Sequence, residues 1–378
     1  MITGRFRWLA TLLAGLFGIL AIFSGLDRFS EHQPSAIRLI PQVFRVDALR
    51  VEAARALASG DAVKAEALAT RAILAGPHDA RGPAFMGAAK LLSGEKSSAN
   101  GAFAVARNMG LREPLVQAHF FDAALAEGDY AEAARQLDIL LRAHPRLARI
   151  DYFFTSLEAS EEGRAQLAAR LAEDPLWSGS YLGDFRASDE VLRSRARFLA
   201  GAGEGLDLSC KSVEPLVREL TQRNYMREAR DISRTYCSRR NQGGLLADPQ
   251  FDELGNGNTF GWRRHGSGDV RISSVGESDK SVEIENRAGV TRLVLSQPIV
   301  LEAGEYRVFG SVAGANADRV LISVTCSVPG RPRSGGGALG RGQLVSAPDC
   351  PDQVLGIWLR PGSGALRLDD MRMERVGD

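Results

Sequence analysis

The feature that most constrains this chain is a repeated register in its first half. The segments LASGD at 57–61, LLSGE at 91–95 and LAEGD at 125–129 place Leu57, Leu91 and Leu125 at intervals of 34 residues. Gly60, Gly94 and Gly128 keep that interval, as do Ala65, Ala99 and Ala133, followed by Ala72, Ala106 and Leu140. A fixed period in the thirties marks a helical solenoid, because each unit buries its apolar face only by stacking on the next. Solenoids bind partners more often than they catalyse, so the register tilts the expectation toward recognition.

Within the first unit, Leu49, Ala53, Ala56 and Leu57 line one helix face, Gly60-Asp61 makes the turn, and Ala65, Leu68, Ala69 and Ala72 line the return helix. Pro77 stops that helix. The second unit ends at Gly110-Leu111 before Pro114, and the third at His144-Pro145. Beyond Pro145 the register drifts. Residues 163–173 and 188–200 read as helices, and 212–222 with 225–237 as a last hairpin, in which NYMREAR echoes DYAEAAR of 129–135.

This pattern resembles the tetratricopeptide repeat family, which carries a turn glycine, an aromatic two residues later, a small residue at the close helix contact and a terminal proline. Gly128, Tyr130, Ala133 and Pro145 match all four positions in one unit. Gly60, Ala65 and Pro77 match in the first unit, and Gly94, Ala99 and Phe103 in the second. The small residues have a physical reason: a side chain larger than alanine would hold the paired helices apart. The first helices of the units depart from the family in lacking its Trp and Tyr. The resemblance covers about 47–240 and implies protein–protein contact through a concave face. A spacer that holds the C-terminal domain away from a membrane is the plainer alternative.

The first segment bears on compartment. Arg5 and Arg7 precede the uncharged run Trp8–Leu26, which Asp27 and Arg28 close. Roughly 18–20 apolar residues suffice to cross the hydrocarbon core as a helix. Basic residues ahead of the run place the N-terminus in the cytoplasm. The rival reading is a cleaved signal peptide, but ILAIFSGLD offers no good small-x-small site and the run is long for such a segment. Either way, residues 30–378 are expected outside the cytoplasm, in a bacterial periplasm, with the chain held in the inner membrane by a single pass. Residues 29–46, with Pro34 and Pro41, read as a tether.

Four cysteines suit an oxidising space. Cys210 and Cys237 fall in the last helical stretch, Cys326 and Cys350 in the following part, an arrangement expected of two local disulfides rather than four unrelated thiols. A Cys210–Cys237 bridge would staple the last hairpin. The formal net charge is +1, so no overall field argues for a nucleic-acid partner.

After about residue 243, Gly, Val, Ser and Asp replace the Ala, Leu and Arg of the helical region, and the apolar period becomes two. Strands are expected at Val270–Val275, Ser281–Glu285, Arg292–Ser296, Tyr306–Ala313, Val320–Ser327, Gln343–Ser346, Leu355–Leu359 and Leu366–Met373. Short strands at this density point to a β-sandwich of jelly-roll type. The expected fold class is therefore multidomain α + β: a transmembrane anchor (1–28), a tether (29–46), a helical solenoid with a capping hairpin (47–240) and an antiparallel β-sandwich (243–378).

The order LLADPQFDELGNGNTFGWRRHG, then LSQPIVLEAGEYRVFGSVAG, then LRLDDMRME is similar to jelly-roll carbohydrate-binding modules. Leu245, Leu246, Phe251, Asp252, Gly261, Trp262, Gly304, Tyr306, Asp369 and Asp370 occupy the matching positions over about 245–376. The resemblance implies a glycan ligand and a structural calcium held by Asp252, Asp369 and Asp370, since calcium takes six to eight oxygens. The alternative is that Asp252 caps a turn and Asp370 pairs with an arginine. Sugar rings stack on exposed aromatic faces, for which Trp262, Phe260, Tyr306, Phe309 and Trp358 are available. Trp262 and Tyr306 suit a core better, since their motif positions fix the fold, and Trp358, in a nearly continuous apolar strand, also reads as core before platform. Arg263, Arg264 and His265 could meet an acidic glycan or simply form a solvated loop. The glycine-rich stretch Ser334–Gly342 lacks a nucleotide fingerprint and reads as a loop between Cys326 and Cys350.

Catalysis is not expected. His32, His78, His119, His144 and His265 are scattered, and neither HExxH nor GxSxG occurs. His119, beside Phe120 and Phe121, reads as a packed helix residue. The combined expectation is a membrane-anchored periplasmic adaptor that docks envelope proteins through its repeats. A sandwich that binds polysaccharide would place it in envelope or exopolysaccharide assembly or export. The alternatives are an adaptor without glycan affinity and a glycan-active enzyme, which would need two opposed carboxylates across a cleft.

Overall fold

The computed structural model describes residues 2–183, 186–237, 244–255, 257–277, 279–314, 316–330 and 339–377. The chain forms two compact units, Met1–Ala148 and Arg149–Asp378.

The first unit begins with α1 (Ile2–Phe29), whose stretch Thr11–Phe29 is long and apolar enough to cross a membrane. Two 3-10 turns, Pro34–Leu39 and Gln42–Phe44, follow. The tether residues are thus folded back rather than extended, with Ile37 and Ile40 packing with Ala48 against Leu26. Asp27, which sequence alone marks only as the polar end of the span, is buried. Its carboxylate accepts the backbone N–H groups of Val46, Asp47 and Ala48 at 2.8–2.9 Å. These are orphan donors of the next helix, α2 (Asp47–Ala58).

Helix α2 pairs with α3 (Ala62–Ala75), α4 (Arg81–Leu92) with α5 (Lys96–Met109), and α6 (Pro114–Glu127) with α7 (Tyr130–Ala143). The 34-residue register is a backbone property as well as a sequence one. Gly60, Gly94 and Gly128 all adopt left-handed φ values of 73–79° at the turn, which only glycine enters without strain. Ala65, Ala99 and Ala133 are fully buried where the helices meet. Asp61 and Asp129 cap the return helices by accepting from the N–H of Lys64 and Glu132. Pro114 opens α6, where its missing N–H costs nothing. His119 stacks on Phe103 at 4.1 Å, and burial lowers its pKa.

The second unit opens with α8 (Asp151–Glu158), α9 (Glu161–Leu171), α10 (Ser178–Gly183) and α11 (Asp189–Ala202). Their core holds a polar cluster that the sequence pattern conceals. Tyr181 donates to Glu158 at 2.6 Å, and Arg195 donates to the same oxygen at 3.3 Å and to the Tyr181 carbonyl at 2.9 Å. Burial holds the Tyr181 hydroxyl well above its ordinary pKa. The hairpin α12 (Cys210–Gln222) and α13 (Met226–Cys237) is closed by the Cys210–Cys237 disulfide.

Nine strands follow among the described residues: β1 (Arg263–Arg264), β2 (Val270–Val275), β3 (Ser281–Asn286), β4 (Arg292–Ile299), β5 (Gly304–Ala313), β6 (Val320–Cys326), β7 (Gln343–Ala347), β8 (Gln353–Leu359) and β9 (Leu366–Arg375). They form two antiparallel sheets, in the orders β1-β4-β8-β6 and β2-β3-β9-β5-β7. Their inward faces bury Phe251, Trp262, Ile284, Val308, Ile357 and Leu368 in one core. The Cys326–Cys350 disulfide joins the end of β6 to the β7–β8 connection. Residues 334–338 of the glycine-rich stretch lie outside the described residues, and Leu339–Arg341 form a 3-10 turn.

The hairpin and the sandwich are hydrogen-bonded to each other. Glu214 on α12 accepts from the backbone N–H of Thr259 at 2.9 Å and from its hydroxyl. Arg230 on α13 donates to the carbonyl of Val300, just past β4, at 2.9 Å.

Candidate functional site

A recess of the second unit lies between α13 and the sandwich. It has about 360 Å³ of empty space, counting the part open to solvent. Arg230, Ser233 and Arg234 line one side. Their i, i+3, i+4 spacing puts them on a single helix face. Leu245, Leu246, Phe260, Pro298 and Ile299 form the other side.

Arg230 is engaged by Asp231 at 3.0 Å and by the Val300 carbonyl. Arg234 donates to the Gly244 carbonyl, and the carboxylate that acts on its charge is Asp231, which also engages Arg230. Burial, reinforced by the charge of Arg230, lowers the Arg234 guanidinium from its ordinary pKa. Ser233 is 2% exposed, and its hydroxyl meets no hydrogen-bonding partner among the described residues. A half-buried guanidinium and an unsatisfied hydroxyl beside an apolar wall suit a small oxyanion, a carboxylate above all. The sequence carries the spacing of these three residues. It carries no sign of what they face.

The residues expected to hold glycan are placed differently. Trp262 and Trp358 are both buried, in keeping with the core reading of each rather than with an open stacking platform. Trp262 packs on Phe251 at 5.1 Å and donates to the Asp248 carbonyl, and Trp358 donates to the Ser323 hydroxyl. Tyr306 is buried and bonds the Glu302 carbonyl, and Phe260 lines the recess. The half-buried Phe309 ring is covered by the Arg372 guanidinium at 4.9 Å. Four of the five aromatics are therefore buried, and Phe309 is half-exposed beside Arg372. Arg263 and Arg264 are exposed on the short edge strand β1, while His265 bonds Ser296 at 2.8 Å. Burial, then the charge of Arg263, lowers the His265 pKa.

Asp252, Asp369 and Asp370 do share a neighbourhood. Burial raises the pKa of Asp369, and repulsion from Asp370, Asp279 and Asp252 adds to it. Among the described residues they are not a set whose ligand oxygens converge within 4.8 Å. Asp252 accepts the backbone N–H of Lys280, whose ammonium group bonds the Asp252 carbonyl at 3.0 Å. Asp369 accepts the N–H of Asp370. Asp370 forms no ion pair with arginine among the described residues. The one set of three potential ligand residues that converges within 4.8 Å among the described residues is Cys210, Glu214 and Cys237. Two of those are consumed by the disulfide.

The repeat helices carry exposed apolar side chains, including Leu74 on α3, Leu92 on α4 and Val105 on α5. Against this geometry stands a negative result: no family model matches the chain, and no curated protein matches it.

Proposed function

We propose that the chain is a membrane-anchored adaptor whose helical hairpins dock a protein partner at the extracytoplasmic face, in the periplasm of a bacterium. One observation carries this reading. The last turn of α1 caps and packs against the first hairpin, so the hydrophobic helix is built into the array. Removing it as a signal peptide would strip the α2 terminus of its acceptor. Two disulfides accord with an oxidising compartment.

The sandwich acts in this reading as a second protein-contacting element. The burial of Trp262 and Trp358 favours it over polysaccharide binding, because sugar recognition draws on exposed ring faces. The recess beside Arg234 suits an acidic side chain of such a partner. Photo-reactive residues at Leu74, Leu92 and Val105 of the full chain in native membranes test the repeat half. A discrete protein adduct, shared between these positions and lost when an aspartate replaces an adjacent exposed apolar residue, supports docking. Position-independent background labelling refutes it. Retardation of the purified chain in a gel containing acidic polysaccharide would return the sandwich to glycan recognition.

A further inference from the structure

The end of α1 and the segment that follows it expose a cluster of large apolar side chains. Phe29, Leu39 and Val43 are 53%, 68% and 85% exposed, three large apolar side chains within fifteen residues of one another. Arg28 and Arg38 are exposed among them and form no ion pair among the described residues. The neighbouring charges are spent. Arg45 donates to the carbonyls of Ile40 and Ile37, Glu31 pairs with Arg81, and Asp27 is occupied by the α2 terminus.

The depth of this segment follows from its contacts. The Phe44 ring stacks on Phe23 at 5.1 Å. Phe23 lies three residues inside the end of the uncharged run at Leu26, roughly 4–5 Å along the helix axis at about 1.5 Å per residue. Ile37 and Ile40 pack with Ala48 against Leu26 itself. If α1 crosses a bilayer, residues 34–44 therefore cannot stand off in water. They wrap the helix at the level where acyl chains meet head groups.

We infer that residues 29–44 form a collar seated in the interfacial layer of the membrane, with Leu39 and Val43 among the outer acyl segments and Arg28 and Arg38 against anionic head groups. Amphipathic elements with apolar side chains on one face and arginine beside them bind there, and each basic residue near an anionic surface adds attraction. Through Asp27, the start of α2 is held within one turn of this collar. The first repeat then lies on the bilayer surface, and a partner docks beside the membrane. The inference rests on the reading of α1 as a membrane span, and it names lipid as the occupant of the apolar patch.

The test uses the full chain, one copy per nanodisc of phosphatidylcholine with 30% phosphatidylglycerol (roughly a bacterial level of anionic lipid, chosen for charge). All four native cysteines are paired, so Leu39→Cys, Val43→Cys, Phe17→Cys and Val63→Cys each take one environment-sensitive fluorophore. Phe17 lies on the exposed side of α1 and Val63 on the exposed side of α3. Nitroxide lipids labelled near the head group should quench positions 39 and 43 several-fold more than position 63. Lipids labelled deep in the chain should quench position 17 most. Quenching at 17 with positions 39 and 43 no more quenched than 63 overturns the collar and leaves the span intact. Absence of quenching at 17 overturns the span and the collar with it. A blue-shifted label at 43 that no lipid nitroxide quenches identifies a protein cover, and also overturns the inference.

Discussion

Replacing Asp27 by alanine isolates the contact that fuses the hydrophobic helix to the repeats. The carboxylate receives three backbone N–H groups, from residues 46, 47 and 48, at 2.9, 2.8 and 2.9 Å. Val46, the residue in the N-cap position of α2, supplies no side-chain cap of its own. A local N-cap is worth about 1 kcal/mol, and a hydrogen bond to a charged group about 1.5–3 kcal/mol. The three bonds share one carboxylate, and water can enter the vacated space, so simple addition would overcount. About 3 kcal/mol of local stability should be lost, roughly a hundredfold in the opening equilibrium. Hydrogen exchange of the full chain in nanodiscs reads this directly. Amides 46–50 of Asp27→Ala should exchange about a hundred times faster, whereas amides in α7 should not change. Asp27→Asn retains one acceptor oxygen and should fall between. Unaltered protection of 46–48 in the alanine variant would refute the reasoning, since it would mean that other groups satisfy the α2 terminus.

Three further outcomes are expected. Burial raises the Asp248 carboxyl from 3.8 to about 6, so the folded state holds its proton more tightly than the unfolded chain. Stability should then increase as pH falls from above 6 toward 4, and Asp248→Asn should flatten that slope and gain about 1–2 kcal/mol at pH 8. This figure is discounted from about 3 kcal/mol for partial solvent access, and urea melts of the two proteins across this range decide it. Within the repeats, a Cβ on Gly87 would approach the Phe103 ring to 2.7 Å, while one on Gly101 meets nothing within 4 Å. Gly101→Ala should therefore stabilise by about 0.5–1 kcal/mol through helix propensity, whereas Gly87→Ala should cost about 1–2 kcal/mol net by overpacking; equal shifts in thermal melts would contradict this packing. Cys326 and Cys350 are separated by 24 residues, so their joint replacement by serine should destabilise the second unit by about 3 kcal/mol, measured as a lower urea midpoint.

Much of the architecture was legible before any coordinates. The glycines at 60, 94 and 128, with the alanines five residues on, specify turn and close contact locally, and such constraints are written in residue type. The β-strand segments were legible for the same reason, because period-two alternation reflects one face toward a core. Both disulfides followed from two cysteines per region. The two-residue strand β1 and the short α10 escaped notice because neither is long enough to carry a period.

What the sequence could not disclose is what each side chain faces. Trp262 and Trp358 have the composition of a sugar platform, but Trp262 sits in the core between the sheets, and Trp358, on the face of β8 opposite Leu355, Ile357 and Leu359, is buried beside Ser323. Asp27 reads as the polar end of a hydrophobic run. Its role depends on amides 19 to 21 residues away, brought to it by the fold of the intervening segment. Arg230, Ser233 and Arg234 show their helical spacing in the sequence, but the apolar wall opposite comes from residues 244–300 of the sandwich. The sequence by itself determined the elements, through local periodicity and turn chemistry. The tertiary structure decided exposure and partnership, because burial is a property of surfaces that meet across long separations in the chain.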